Sequence, residues 1–178
     1  SSDAALFNLP ICLELALNEG KQFTDTSIFT KRTGLKTQAV SDMAQFEYVL
    51  NAYRSQVKDS VDDAVSIIGW LEESYRNCRT SPVNLAVTDG CLEKGRDVSW
   101  GAAVYDYTSV QAVGLADVGD SLFAIRKLVF EEKRMTLSEF VHILKNNFEG
   151  HEALRVELAN KFPRYGNGDR KVDQMTQV

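Results

Sequence analysis

Apolar residues recur every three or four positions from Phe46 through Val49, Tyr53, Val57, Val61, Ala64, Ile68, Leu71 and Tyr75 to about Cys78. This is the period of one face of an α-helix. With Asp42 and Gln45 as a capping pair, the run is about 36 residues, or about 54 Å at 1.5 Å per residue. Such a helix is longer than a small domain is wide. It restricts the chain to three layouts: a coiled-coil arm, two helices broken near Asp59 or Gly69, or a scaffold helix of a larger body, kinked at Gly69. The heptad is not strict, which ranks the coiled coil low. The scaffold helix fits best.

Other elements are punctuated around it. Asn8 can cap a helix with Pro10 in its first turn, where a missing N–H costs nothing, and Gly20 is its exit. Cys12 sits in that helix as a small buried hydrophobe. The polar, Thr-rich stretch 23–40 has no period and reads as an ordered loop that packs on something else. Ser81-Pro82 ends the long helix, Val83 to Val87 is an apolar link, and Asp89 to Glu93 forms a short helix closed by Gly95. Ala103 to Thr108, rich in Val and Tyr, reads as a strand. Asp117 is the expected N-cap of a helix carrying Leu122, Ile125, Leu128 and Val129. Thr136-Leu-Ser-Glu139 is a capping box, with Phe140, Val141 and Leu144 on the buried side of its helix. Gly150 closes that helix, and another with Leu154, Val156 and Leu158 runs to Pro163. The tail after Gly168 starts a helix that ends before it buries anything.

Composition sets outer limits. The chain has 178 residues, 44% of them hydrophobic, enough for one core. No run of about 18 apolar residues is present, so no membrane span is expected, and Ser1-Ser-Asp lacks the start of a signal peptide. The net charge is −5 with both signs mixed, which argues against a nucleic-acid partner. Three scattered cysteines, Cys12, Cys78 and Cys91, fit a reducing compartment, and two histidines are too few for a His-based metal site or triad. Glu131 to Arg134 reads as a solvated helix end. Asp59, Asp62 and Asp63 lie on the polar side of the long helix without a converging loop to complete a cation site. Phe162 to Gly168 contains glycines but lacks the strand and helix that flank a phosphate cradle.

Four ordered pieces carry a family resemblance: FNLPICLELALN from Phe7, CLEKG from Cys91, VQAVGLADVGDSLFAIRKLVFEEK from Val110, and LKNNFEGHEALR followed by FPRYGNGDRKVD. Together they cover nearly the whole chain. In that order they resemble glycyl radical enzymes of the pyruvate formate-lyase-like branch. The branch includes glycerol and propanediol dehydratases, choline trimethylamine-lyases, arylacetate decarboxylases, isethionate lyases and fumarate-adding synthases. The resemblance implies an α/β fold: a mainly helical segment of a ten-stranded α/β barrel, with one or two barrel strands, residues 1–178 forming a single segment.

It also implies where the chemistry lies. The family stores its radical on a glycine in an Arg-Val-x-Gly-Tyr loop, which this sequence lacks. A partner activase, using S-adenosylmethionine and an iron–sulfur cluster, installs that radical, and no cofactor is expected in this segment itself. Gly90-Cys91-Leu92-Glu93 matches the pattern of the radical cysteine. Its position after the Asn-Leu-Pro helix aligns it instead with a second, structural Cys segment, so no catalytic residue is expected here. Within the presumed strand and loop from Val104 to Val113, Tyr105, Tyr107, Ser109 and Gln111 are candidates to line a substrate cavity. Trp100-Gly-Ala and Tyr105-Asp106 stand where the family has Gly-Gly-Ala and Tyr-Asn, and Tyr165-Gly-Asn-Gly where it has Tyr-Gly-Asn-Asp. The expected role is part of a catalytic subunit acting on a small organic molecule in the cytoplasm, with the rest of the subunit, the activase and a second copy as partners. The alternatives are an inactive scaffold or binding module derived from the same fold and, third, an unrelated helical interaction protein.

Overall fold

The computed structural model describes residues 4–23 and 34–177. Most of the 23–40 loop lies outside them. The chain divides into two compact units. One contains Val61–Gln111 with the chain start up to Phe7, the other Asn8–Ser60 and Ala112–Val178. No helix among the described residues is long and apolar enough to cross a membrane.

The larger unit is helical. Strand β1 (Ala5–Asn8) runs into α1 (Leu9–Ala16), capped by the Asn8 side chain, which accepts from the Ile11 N–H at 3.3 Å. Pro10 sits in the first turn, as expected. The first half of α2 (Phe46–Cys78) adds buried Val49, Leu50 and Tyr53. Burial pushes the Tyr53 phenol up to about 12. Two polar residues of this half are also buried: Ser60, whose hydroxyl is 3.6 Å from the Cys12 thiol, and Gln56, which donates its amide to the Leu35 carbonyl at 2.6 Å.

Helix α5 (Leu115–Ile125) starts three residues before the expected position. Its N-cap is Gly114 in the left-handed region, not Asp117, which occupies the first turn where a carboxylate favours the helix dipole. A side chain at 114 would not fit, because a Cβ there would lie 2.4 Å from the Pro10 ring. Leu122, Ile125, Leu128 and Val129 are all buried, as their spacing predicts. The helix does not simply stop: Arg126–Glu131 continues it as a π-helix.

Helix α6 (Leu137–Lys145) has the complete capping box of Thr136 and Glu139. Phe140 and Val141 are buried with Ile143, while Leu144 is half-buried. The helix ends at Lys145, and a turn with positive φ at Asn147 and Phe148 leads to Gly150. Helix α7 (Glu152–Asn160) buries Leu154 and exposes Val156. Arg134 is not merely solvated: it grips Glu157 through two bonds of 2.9 and 2.8 Å, and that guanidinium holds the Glu157 carboxyl below its ordinary range.

The tail also departs from expectation. Helix α8 (Arg170–Asp173) and the following turn bury Val172 and Met175, because α5 offers an apolar side to receive them. Before it, the Phe162–Gly168 loop is anchored by Asp120, which takes the Tyr165 N–H at 2.7 Å and the Arg164 guanidinium at 3.1 Å.

In the smaller unit, α2 continues unbroken through Gly69 to Cys78, so the helix is 33 residues, or about 50 Å. Asp42 does not cap it but belongs to a short 3-10 turn, Val40–Asp42. The expected link after Ser81 is a helix, α3 (Pro82–Val87), capped by the Ser81 hydroxyl. Helix α4 (Cys91–Lys94) follows and ends on Gly95. Strands β1 and β2 (Val110–Val113) form a two-stranded sheet.

Candidate functional site

The smaller unit's cleft is built on the approach to β2. Ala103 to Thr108, expected as a strand, is irregular, and β2 begins only at Val110. The reason lies in where the backbone groups go. The Val104 N–H donates to the Asp89 carbonyl at 2.9 Å, and the Ala102 carbonyl accepts the Lys94 ammonium at 2.9 Å. Gly90, at φ +89°, lets the two backbones touch: a Cβ there would lie 2.8 Å from the Ala102 oxygen. Ladder partners are free only from Ser109, whose carbonyl accepts the Ala4 N–H at 2.9 Å.

Asp106 and Thr108 line a cleft of about 280 Å³ whose other wall is the second half of α2, with Leu71, Glu72 and Arg76. Glu72 accepts the Thr108 hydroxyl, and Arg76 donates to the Ser99 carbonyl at 3.3 Å. Two carboxylates and a guanidinium therefore face one small space. It can accept from the hydroxyl or ammonium of a small molecule and donate to a carboxylate. The four residues anticipated for a cavity fall elsewhere on the same segment. Tyr105 and Tyr107 stack on each other at 6.4 Å and are 78% and 72% exposed. Ser109 is half-buried at the start of the pairing, and Gln111 is exposed in β2. Glu72, Arg76, Asp106 and Thr108 were not anticipated. The signals were the opposite parity of 106 and 108 and the one-turn spacing of 72 and 76.

Asp97 holds Ser99, which lines the cleft. Asp97 is buried and accepts from the Ser81 N–H at 2.8 Å, the Ser99 N–H at 2.9 Å and the Ser99 hydroxyl at 2.8 Å. These donors hold its carboxyl below the usual range. Cys91 is fully buried, and desolvation, with Asp97 next, pushes its thiol up, away from the reactive thiolate. Among the described residues no group of three or more His, Cys, Asp or Glu could hold a metal ion.

The family model described as pyruvate formate lyase-like matches residues 1–178. The chain belongs to the pyruvate formate lyase-like family. Within that family the chain is 32% identical to the trans-4-hydroxy-L-proline dehydratase of Clostridioides difficile, over 96% of its own length and 21% of the relative's. Its fold matches the glycerol-bound glycerol dehydratase of Clostridium butyricum with a TM-score of 0.87 at 29% identity, covering 99% of this chain and 22% of that one. A glycyl radical enzyme from Archaeoglobus fulgidus matches with a TM-score of 0.82 at 35% identity, over 96% of this chain and 21% of that one. This pyruvate formate lyase-like chain thus spans about a fifth of the length of the relatives it matches. The mainly helical section of a glycyl radical enzyme barrel expected from its sequence is the fold found.

Proposed function

We propose that the chain is a single section of the catalytic subunit of a glycyl radical enzyme, of the dehydratase or lyase type, acting on a small organic molecule. One observation supports this reading: 99% of the chain matches glycerol dehydratase with a TM-score of 0.87. The names of its relatives, dehydratases and sulfite-lyases, favour an enzyme over an inactive scaffold.

The division of labour follows from the residues present. No glycine here stands in an Arg-Val-x-Gly-Tyr setting, and Cys91 is buried as a thiol. Storage of the radical and hydrogen abstraction are therefore assigned to other parts of the subunit, with an activase as the partner that installs the radical. This chain contributes walls. Asp106 and Glu72 accept from a polar substrate or position its neighbours, and Arg76 holds the Ser99 turn. Tyr105, Tyr107, Ser109 and Gln111 form a second lining on the opposite parity. A cytoplasmic setting and assembly with a second copy belong to the same proposal.

The test is anaerobic activation of the whole subunit by its activase. The readouts are the electron paramagnetic resonance signal of an organic radical and product analysis on a panel of small diols and hydroxy acids. Asp106→Asn and Tyr105→Phe are expected to raise KM while leaving the radical signal intact. An activated whole subunit that turns over no member of such a panel overturns the reading.

A further inference from the structure

In the larger unit, α5 widens after Ile125. In the Arg126–Glu131 π-helix the Glu132 N–H reaches back five residues to the Lys127 carbonyl at 2.8 Å. On an α-helix, side chains three and four apart are neighbours, and those five apart are not. The wider turn brings them together: Arg126 Nε meets Glu131 Oε1 at 2.8 Å. Arg126, Lys127 and Glu131 then edge a depression of about 650 Å³, completed by Lys161, Asp169 and Lys171. Its apolar part is Phe162, set edge-on to Phe123 at 6.3 Å.

Among the residues lining it, four are cations and two are carboxylates, and both carboxylates are engaged. Glu131 holds Arg126, and Asp169 takes the Lys171 backbone N–H at 2.9 Å. Just outside, Glu132 acts on Lys127 and Glu157 on Lys127 and Lys161, so the positive excess rests on Lys171 and the partly compensated Lys161. Lys127 lies 4.9 Å from the Phe162 ring centre and 3.8 Å from Glu132. Among the described residues no ion pair ties the ammonium of Lys161 or Lys171. A positive hollow on a chain of net charge −5 is a local arrangement, not a consequence of composition.

We propose that this depression binds a small dianionic oxyanion, a phosphate ester or a dicarboxylate. The charges of the ligand sit between Lys161, Lys171 and the Arg126–Lys127 edge, and its carbon part packs on Phe162. Charge-assisted bonds from several cations supply the affinity, and the aromatic wall excludes water from one side.

The test uses the full chain, titrated with inorganic phosphate and with succinate, against chloride at matched ionic strength, and followed by amide chemical shifts. Saturable shifts at Arg126–Glu131 and at Asp169–Gln174 are expected. Lys161→Gln with Lys171→Gln removes two charge-assisted contacts and is expected to weaken binding about a hundredfold, about tenfold for each. Both substitutions are on exposed side chains, so the fold is not at risk. Lys36→Gln, in the same unit, is expected to change nothing. Saturation by phosphate alone or succinate alone assigns the oxyanion within the proposed class. Shifts that chloride reproduces, that never saturate, or that Lys36→Gln weakens equally overturn the site.

Discussion

Thiol accessibility separates the three cysteines sharply. Cys12 and Cys91 are buried, and Cys78 is exposed at the end of α2. Ellman's reagent at mildly alkaline pH is expected to titrate Cys78 alone in the native chain and all three thiols in denaturant. Rapid native labelling of Cys91 would contradict its structural role. Asp97 gives a second residue-level expectation. Its folded-state carboxyl titrates below the ordinary aspartate value of about 3.9. The stability it contributes is therefore complete above that value and lost as pH falls through the lower, folded one. Unfolding monitored against pH should show Asp97→Ala losing stability at neutral pH, with a shallower acid dependence than the parent. The cause is two backbone N–H groups, of Ser81 and Ser99, left without their acceptor.

Among the elements, α6 is the one whose boundaries local chemistry dictates. Thr136 Oγ1 accepts the Glu139 N–H at 3.2 Å, and Glu139 Oε2 accepts the Thr136 N–H at 2.7 Å. Thr136→Ala is expected to cost about 1 kcal/mol, measured as a shift in urea midpoint without change in slope. Helix α2 shows the opposite balance. One apolar side runs along all of it, yet Val49, Leu50 and Tyr53 are buried while Val65, Leu71 and Tyr75 are 64%, 46% and 46% exposed. Propensity and period continue past Ser60, but partners for that side do not.

For the whole molecule, this exposed apolar surface is the main physical liability. Trp70 at 72% and Ile67 at 53% extend it around α2, and Val83, Val87 and Val104 add to it. Patches of this kind mark surfaces that bury against something else. The chain by itself is expected to enhance the fluorescence of a hydrophobic dye strongly. Val65→Lys with Trp70→Lys should cut that enhancement roughly in half without lowering the unfolding midpoint, since neither side chain is buried. A dye signal as low as that of an ordinary closed domain would contradict the reading of α2 as a scaffold helix.

Much of the helical register was legible in the residues alone. The Asn8 cap, the Thr136 box and the apolar spacing of α5 are local: each depends on groups within about one turn, so sequence determines them. The start of β2, the burial of Val172 and Met175 and the parity of the cleft are not local. Val104 is kept from pairing by Asp89 and Gly90, and the tail is buried because α5 offers an apolar side. The Arg126–Glu131 π turn and the clustering of Lys161 with Lys171 likewise appear only when distant segments meet. Sequence fixes what a residue can satisfy near itself; tertiary structure decides which distant donor, carbonyl or apolar side reaches it first, because a buried backbone group must pair with whatever the fold brings within bonding distance.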